Sequence, residues 1–221
     1  MRIDFVITEL FVGGAERCLS ELAIGLAENG DKIRVFSIGS LPTGEKRVLV
    51  DRLETAGISV RSCEADSKFE FAKALRRLRS WMRQSPAEIC QTFLFHGNVL
   101  GTMAAQQAGI ESRVGGIRVV DDRFLRRRIN RLIIPRMNRV VCVSGAVEQF
   151  SRQRLGCRDD QATVIANSVD VSRFSTAQPF DWASIGWPND ANVVLFVGRL
   201  HPQKGIDLLQ EQVNSIAPPQ S

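Results

Sequence analysis

No tyrosine occurs in the 221 residues, and there are only two histidines, His96 and His201, far apart in the chain. The five cysteines, Cys18, Cys63, Cys90, Cys142 and Cys157, are scattered, odd in number and form no C-x-x-C pair. A disulfide framework or a zinc site is therefore not expected, and reduced, buried thiols are. The densest apolar runs, Leu132–Ile134 and Val193–Val197, fall far short of the ~20 residues needed to cross a bilayer. Asp4 interrupts any apolar stretch after Met1-Arg2-Ile3, so no secretory leader is read and a cytoplasmic location is expected. Two nucleotide-binding signatures are also missing. There is no G-x-G-x-x-G, and the second strand closes on Phe36-Ser37-Ile38-Gly39 without the acid that a dinucleotide ribose requires. The absence of G-x-x-x-x-G-K-[ST] argues against a P-loop NTPase.

Positive charge is concentrated in one place. Between Arg113 and Arg139 there are nine arginines and two aspartates, a local charge of +7 in a chain whose net charge is +5. A local excess of this size points to an anionic partner surface more than to general solubility. Nucleic acid is a poor candidate for that partner. Base stacking needs aromatics, and Phe124 is the only one in the basic stretch.

Apolar β-forming segments alternate with helical patterns along most of the chain. Strands are expected at Ile3–Thr8, Lys32–Ile38, Ile58–Arg61, Glu88–Leu94, Ser112–Gly116, Arg139–Val143 and Ala162–Ile165. Helices are expected from Gly13-Gly14 to Gly30, and over Glu45–Ala56, Phe69–Arg83, Asn98–Gln107, Arg123–Met137 and Ala146–Arg154. This rhythm predicts an α/β fold, a Rossmann-like parallel sheet with helices on both faces. The rhythm breaks at Asn167–Pro188, where Asn167-Ser168, Gln178-Pro179 and Trp187-Pro188 are turn signals. Residues 1–175 are therefore assigned to one domain. Residues 176–221 are assigned to a linker and the start of a second, truncated Rossmann-like domain, with a strand at Val193–Val197 and a helix from about Lys204.

Four short segments carry chemistry. Val12-Gly13-Gly14-Ala15-Glu16-Arg17 follows the first strand; paired glycines allow close backbone approach, and the next helix offers free N–H groups to an anion. Thr92-Phe93-Leu94-Phe95-His96-Gly97-Asn98 sets a histidine just past the carboxyl end of a strand, where open α/β sheets keep ligands. Ala166-Asn167-Ser168-Val169-Asp170, running on to Arg173-Phe174, reads as a turn into the domain crossing. Gly198-Arg199-Leu200 and Lys204-Gly205-Ile206-Asp207-Leu208-Leu209 put an arginine after an apolar strand and a lysine at the next helix start, a clamp suited to a diphosphate.

In this order and spacing, G-G-A-E-R, N-x-V-D-x-x-R-F and G-R-L-x-x-x-K-G-x-D-L-L resemble the family-4 glycosyltransferases of the GT-B fold, which use nucleotide sugars with retention. The resemblance extends over essentially the whole chain. It implies an acceptor-side N-terminal domain facing a donor-binding C-terminal domain. Arg199 and Lys204 would then hold the donor diphosphate, Gly13 and Gly14 would lie near the transferred sugar and its phosphate, and His96 would lie near the sugar. Neither cofactor nor metal is expected, because the arginine–lysine pair neutralises the leaving nucleotide. Arg123, Arg126, Arg127 and Arg128 would face an acceptor or an anionic membrane. Ala166-Asn167-Ser168 departs from the family's P-N-G. The family's paired-glutamate segment lies beyond Ser221, so the chain by itself is not expected to turn over. Asp121-Asp122 lacks D-x-D spacing and reads as a local ion pair or helix start. The alternatives are a sugar-nucleotide epimerase of the same fold, or a non-enzymatic module binding anions or nucleic acid through Arg113–Arg139.

Overall fold

The computed structural model describes residues 1–169, 171, 175–188, 190, 192–198, 200 and 204–216. The chain divides into two compact units, Met1–Val169 and Asp170–Ser221. The first unit runs β1 (Arg2–Ile7), α1 (Gly14–Glu28), β2 (Lys32–Ser37), α2 (Val48–Thr55), β3 (Ser59–Ser62), α3 (Phe71–Gln84), β4 (Ile89–Phe93), α4 (Thr102–Ala108), β5 (Ser112–Ile117), α5 (Phe124–Ile133), β6 (Arg139–Cys142), α6 (Gly145–Leu155) and β7 (Ala162–Val164). The seven strands form one sheet in the order β3-β2-β1-β4-β5-β6-β7, and every pairing is parallel.

Strand β1 shows why both faces must be covered. Ile3, Phe5 and Ile7 point to one side, where Leu19 and Ala23 of α1 and Val50 and Leu53 of α2 pack. Val6 points to the other side, against a cluster that includes Ala74, Leu78 and Met82 of α3 and Ala104 and Ala105 of α4. Apolar side chains at successive positions are what a strand buried on both faces requires. A third cluster joins Ile117, Val140 and Cys142 of the sheet to Ile133 of α5 and to Val147 and Leu155 of α6.

Asp4 breaks this apolar run. Its side chain is only 1% exposed, and Arg34 grips it with two hydrogen bonds of 2.8 Å, from Nε and Nη2. The two residues are direct partners in the β1–β2 ladder. Arg34 also donates to the carbonyls of Trp81 and Ser85 at the end of α3. One guanidinium thus ties two central strands to the helix above them.

Three expected helices are interrupted. Glu45–Ala56 divides into a 3₁₀ turn at Gly44–Arg47 and then α2. Arg123–Met137 ends as α5 at Ile133, and the residues around Pro135 form a 3₁₀ turn, Ile134–Arg136, because proline offers no N–H to an α-helical ladder. Asn98–Gln107 begins as a π-helical turn, Gly97–Gly101, and becomes α4 only at Thr102. That turn lies hard against the sheet. A Cβ on Gly101 would come within 2.8 Å of Thr92 Cγ2 and 2.9 Å of Val6 Cβ. Gly101→Ala is therefore expected to cost about 1–3 kcal/mol of stability. Gly25→Ala, in α1 with nothing within 4 Å of its Cβ, should stabilise slightly. Urea unfolding of the two variants checks the contrast, and equal midpoints would refute it.

In the second unit the described residues include a 3₁₀ turn, Trp182–Ile185, and a helix, α7 (Ile206–Ile216). The strand expected at Val193–Val197 is not formed, and Val194, Leu195 and Val197 are exposed. The sequence suits a buried strand. A strand exists only through a hydrogen-bonded neighbour, however, and no second strand is present among the described residues of this unit.

Candidate functional site

The strand order reverses between β1 and β4. Chain connections run outward from β1 through β2 to β3 on one side, and from β4 through β5 and β6 to β7 on the other. Outside the carboxyl ends of the strands at such a reversal, the flanking loops diverge and leave a crevice. A pocket of about 380 Å³ lies there. It is lined by Thr8 and Glu9 after β1, by Leu94, Phe95 and His96 after β4, and by Arg118 and Asp121 after β5, with Arg126 and Asn130 of α5 and Phe150 of α6 as a further wall.

The turn after β4 is strained. Leu94 has φ +64°, one of two non-glycine residues with positive φ among the described residues. Such a conformation costs on the order of 1–3 kcal/mol and redirects the chain sharply. Beyond it, the His96 ring lies between Phe71 and Phe95, with centroids 5.0 Å and 5.1 Å away. Burial lowers the His96 pKa from its ordinary value, and the positive charge of Arg126 lowers it further. His96 is consequently neutral near pH 7 and offers one N–H donor and one bare nitrogen acceptor.

Asn98 holds the rim together from beneath. Its Oδ1 accepts from Thr92 Oγ1 (2.7 Å) and from the Gly116 N–H (3.3 Å), and its Nδ2 donates to the Gly116 carbonyl (2.9 Å). This buried side chain bridges β4 and β5 where they meet the pocket. On the β1 side, Thr8 Oγ1 accepts from the Gly97 N–H at 3.3 Å.

The cationic wall is built by pairing. Arg126 stacks over the Phe95 ring, 4.6 Å from its centroid, and its Nη1 donates to Asp121 Oδ2 at 3.0 Å. Arg123 grips the same carboxylate twice, at 2.8 and 2.6 Å. These arginines, Arg123 first, pull the Asp121 pKa down to about 2. Arg127 pairs with Asp122 at 2.8 Å. The two aspartates thus serve as ion-pair partners at the start of α5, as their arginine neighbours imply. Arg118 lies over the Phe93 ring and donates to Asn167.

The structure brings His96 and Arg126 into one pocket. Arg123, Arg127 and Arg128 belong to the same segment but do not line it. Gly13 and Gly14 precede and open α1 as expected, and they too lie outside the lining. The Glu16 carboxylate lies 2.3 Å from where a Gly13 Cβ would sit, so a side chain at Gly13 would have to displace it. Lys204 is exposed, two residues before α7, while Arg199 and His201 lie outside the described residues. Thr8, Glu9, Asn98, Arg118 and Asp121 complete the pocket without having been singled out as site residues. Their common signal is position, within a few residues of a strand's carboxyl end.

Among the described residues no group of three His, Cys, Asp or Glu side chains could hold a metal ion. All five cysteines are free thiols and four are buried; burial pushes Cys63 up to about 12, which leaves it unreactive. No helix among the described residues is long and apolar enough to cross a membrane.

Residues 12–173 match the model of the family described as Glycosyltransferase Family 4. An 84-residue stretch is 32% identical to a phosphatidylinositol N-acetylglucosaminyltransferase subunit of Saccharomyces cerevisiae, covering 37% of this chain and 19% of the yeast protein. The fold is similar to that of a glycosyltransferase from Rickettsia africae, with TM-score 0.73, 16% identity, 97% of this chain and 57% of that one. It is also similar to sucrose-phosphate synthase from Thermosynechococcus elongatus, with TM-score 0.74, 15% identity, 98% of this chain and 60% of that one. The chain thus spans a little over half the length of the solved structures it resembles.

Proposed function

The chain belongs to glycosyltransferase family 4, and from that membership we propose that it is the acceptor-side part of an enzyme moving a sugar, with retention, from a nucleotide diphosphate sugar to a polysaccharide, lipid-linked or other cell-envelope acceptor. The carrying observation is the pocket at the sheet's topological reversal, where neutral His96 and cationic Arg126 face one cavity. A neutral imidazole suits the recognition of sugar hydroxyls, because it donates and accepts without demanding a counter-charge. Arg118 and Arg126 would bind anionic groups of the acceptor. The α1 N-terminus at Gly13 and Gly14 would approach the transferred sugar.

On this reading Arg199 and Lys204 stabilise the departing nucleoside diphosphate, and no metal is required. The enzyme would work in the cytoplasm, at times on the inner face of the membrane, with the basic segment Arg123–Arg128 turned toward an anionic acceptor or surface.

Offering the full-length protein UDP-, GDP-, ADP- and dTDP-sugars with a membrane extract as acceptor tests this. Release of nucleoside diphosphate together with labelled glycoside is expected, undiminished by a metal chelator. A free, inverted sugar nucleotide as the only product would indicate an epimerase instead. Failure to cleave any donor, combined with salt-sensitive binding of random oligonucleotides, would replace the enzyme reading with a binding module.

A further inference from the structure

Helix α5, Phe124-Leu125-Arg126-Arg127-Arg128-Ile129-Asn130-Arg131-Leu132-Ile133, contains four arginines and no acid. Its inner face is accounted for. Asn130 and Ile133 are buried, Ile129 packs on the third core cluster, and Arg126 lines the pocket. Its outer face is unusual for a helix turned toward water. Phe124, Leu125 and Leu132 are 62%, 68% and 64% exposed, and Arg128 is exposed among them. Steps of four along a helix put Phe124, Arg128 and Leu132 in one row, with Leu125 and Arg131 beside it. Val119 and Val120, in the loop leading to the helix, are exposed as well.

The charges on this face differ from those of Arg123, Arg126 and Arg127 in having no carboxylate partner among the described residues. Arg123, Arg126 and Arg127 are paired with Asp121 and Asp122. Arg128 leans on the Phe124 ring, Arg131 donates to the Arg154 carbonyl and Arg136 to the Leu132 carbonyl. Those bonds leave their positive charge uncompensated, and no ion pair among the described residues involves any of the three.

We propose that the outer face of α5 docks on an anionic phospholipid bilayer. Phe124, Leu125 and Leu132 enter the boundary between headgroups and acyl chains, and Arg128, Arg131 and Arg136 meet the phosphates. Interleaved large apolar and basic side chains match a surface that is anionic above and apolar below. A second copy of the chain fits less well, since a two-fold contact would set arginines against arginines. The inner face of the same helix walls the pocket, so docking holds the pocket at the lipid surface. Resting on the transferase reading above, this makes the acceptor a lipid-borne one.

Sedimentation of the protein with vesicles tests the proposal. Phosphatidylcholine vesicles and vesicles of equal parts phosphatidylcholine and phosphatidylglycerol are compared at low salt and near 1 M salt, where the Debye length falls to about 3 Å. Binding is expected only to the anionic vesicles and should weaken with salt. The double variant Phe124→Ser/Leu125→Ser should bind about tenfold less or weaker still. Arg128→Gln should weaken binding more than Arg127→Gln, whose charge is already paired. Circular dichroism confirms that each variant is folded. Wild type that ignores anionic vesicles, a serine variant that binds as wild type does, or self-association through this face without vesicle binding would each overturn docking. Sugar transfer without vesicle binding would overturn docking and spare the transferase reading. Vesicle binding without cleavage of any donor would do the reverse.

Discussion

Replacing Arg199 or Lys204 with alanine in the full-length protein is expected to slow sugar transfer by about two to three orders of magnitude. On the proposed function, charge appears on the leaving nucleoside diphosphate as the glycosidic bond breaks. Cations fixed in place before the reaction stabilise that charge without reorganising, so each contact counts more in the transition state than in the ground state. Lys204 is the residue of the pair that lies among the described residues. It stands two residues before α7, whose first-turn N–H groups add to the positive potential, and Gly205 between them adopts φ +63°, which a side chain would strain. Arg199→Lys should also be impaired, because an ammonium cannot make the two parallel hydrogen bonds of a guanidinium to phosphate oxygens. Initial rates with a cleavable donor, at saturating and sub-saturating concentrations, separate a lost transition-state contact from lost binding. A double alanine variant that keeps the wild-type rate would remove the phosphate clamp from the mechanism.

The second large effect is on the fold. Arg34→Ala should destabilise the first unit by about 3 kcal/mol, the lower end of the range for breaking a buried ion pair, since Arg34 itself is a quarter exposed. The cost arises mainly at the residue left behind. Asp4 is buried in the sheet, and desolvation already raises its pKa above the ordinary carboxylate value despite the opposing hydrogen bonds and charge of Arg34. Without Arg34 that pKa rises further. A carboxyl whose folded pKa exceeds its unfolded one favours the fold most at low pH, and that contribution is lost as pH rises through the folded value. The Arg34→Ala penalty should therefore fall as pH is lowered from 7 to 5, the direction that favours the protonated form of Asp4. Urea unfolding at the two pH values measures the difference. A penalty independent of pH would show that the loss lies in the contacts of Arg34 with the Trp81 and Ser85 carbonyls rather than in an unpaired Asp4.

Much of the architecture was legible in the chain itself. Strand and helix periodicities are local, so the alternation that produces the all-parallel sheet could be read off, and all seven strands of the first unit lie within a residue or two of where their apolar runs placed them. The order of G-G-A-E-R and the crossing motif pointed to the family whose model spans residues 12–173. Helix interiors were less legible. The π turn at Gly97–Gly101 exists because that segment must fit against Val6 and Thr92, contacts that hydrophobic spacing does not encode. The Val193–Val197 segment errs in the opposite direction, with local propensity for a strand and no neighbouring strand among the described residues to realise it.

The candidate site divides along the same line. His96 could be picked out because it follows a strand. Its company could not, because Phe71 reaches the His96 ring, and Arg126 and Asp121 reach the pocket, from positions 25 to 30 residues away in the chain, and only folding converts that separation into contact. The basic segment shows the limit most clearly. The sequence by itself determined the excess of arginine between Arg113 and Arg139 and the absence of acid from α5. The tertiary structure decided which of those charges are spent on Asp121 and Asp122 and which, beside exposed Phe124 and Leu125, form no ion pair among the described residues. Composition adds charges irrespective of position, whereas the energy of an ion pair depends on a distance of a few ångströms that only the folded backbone sets.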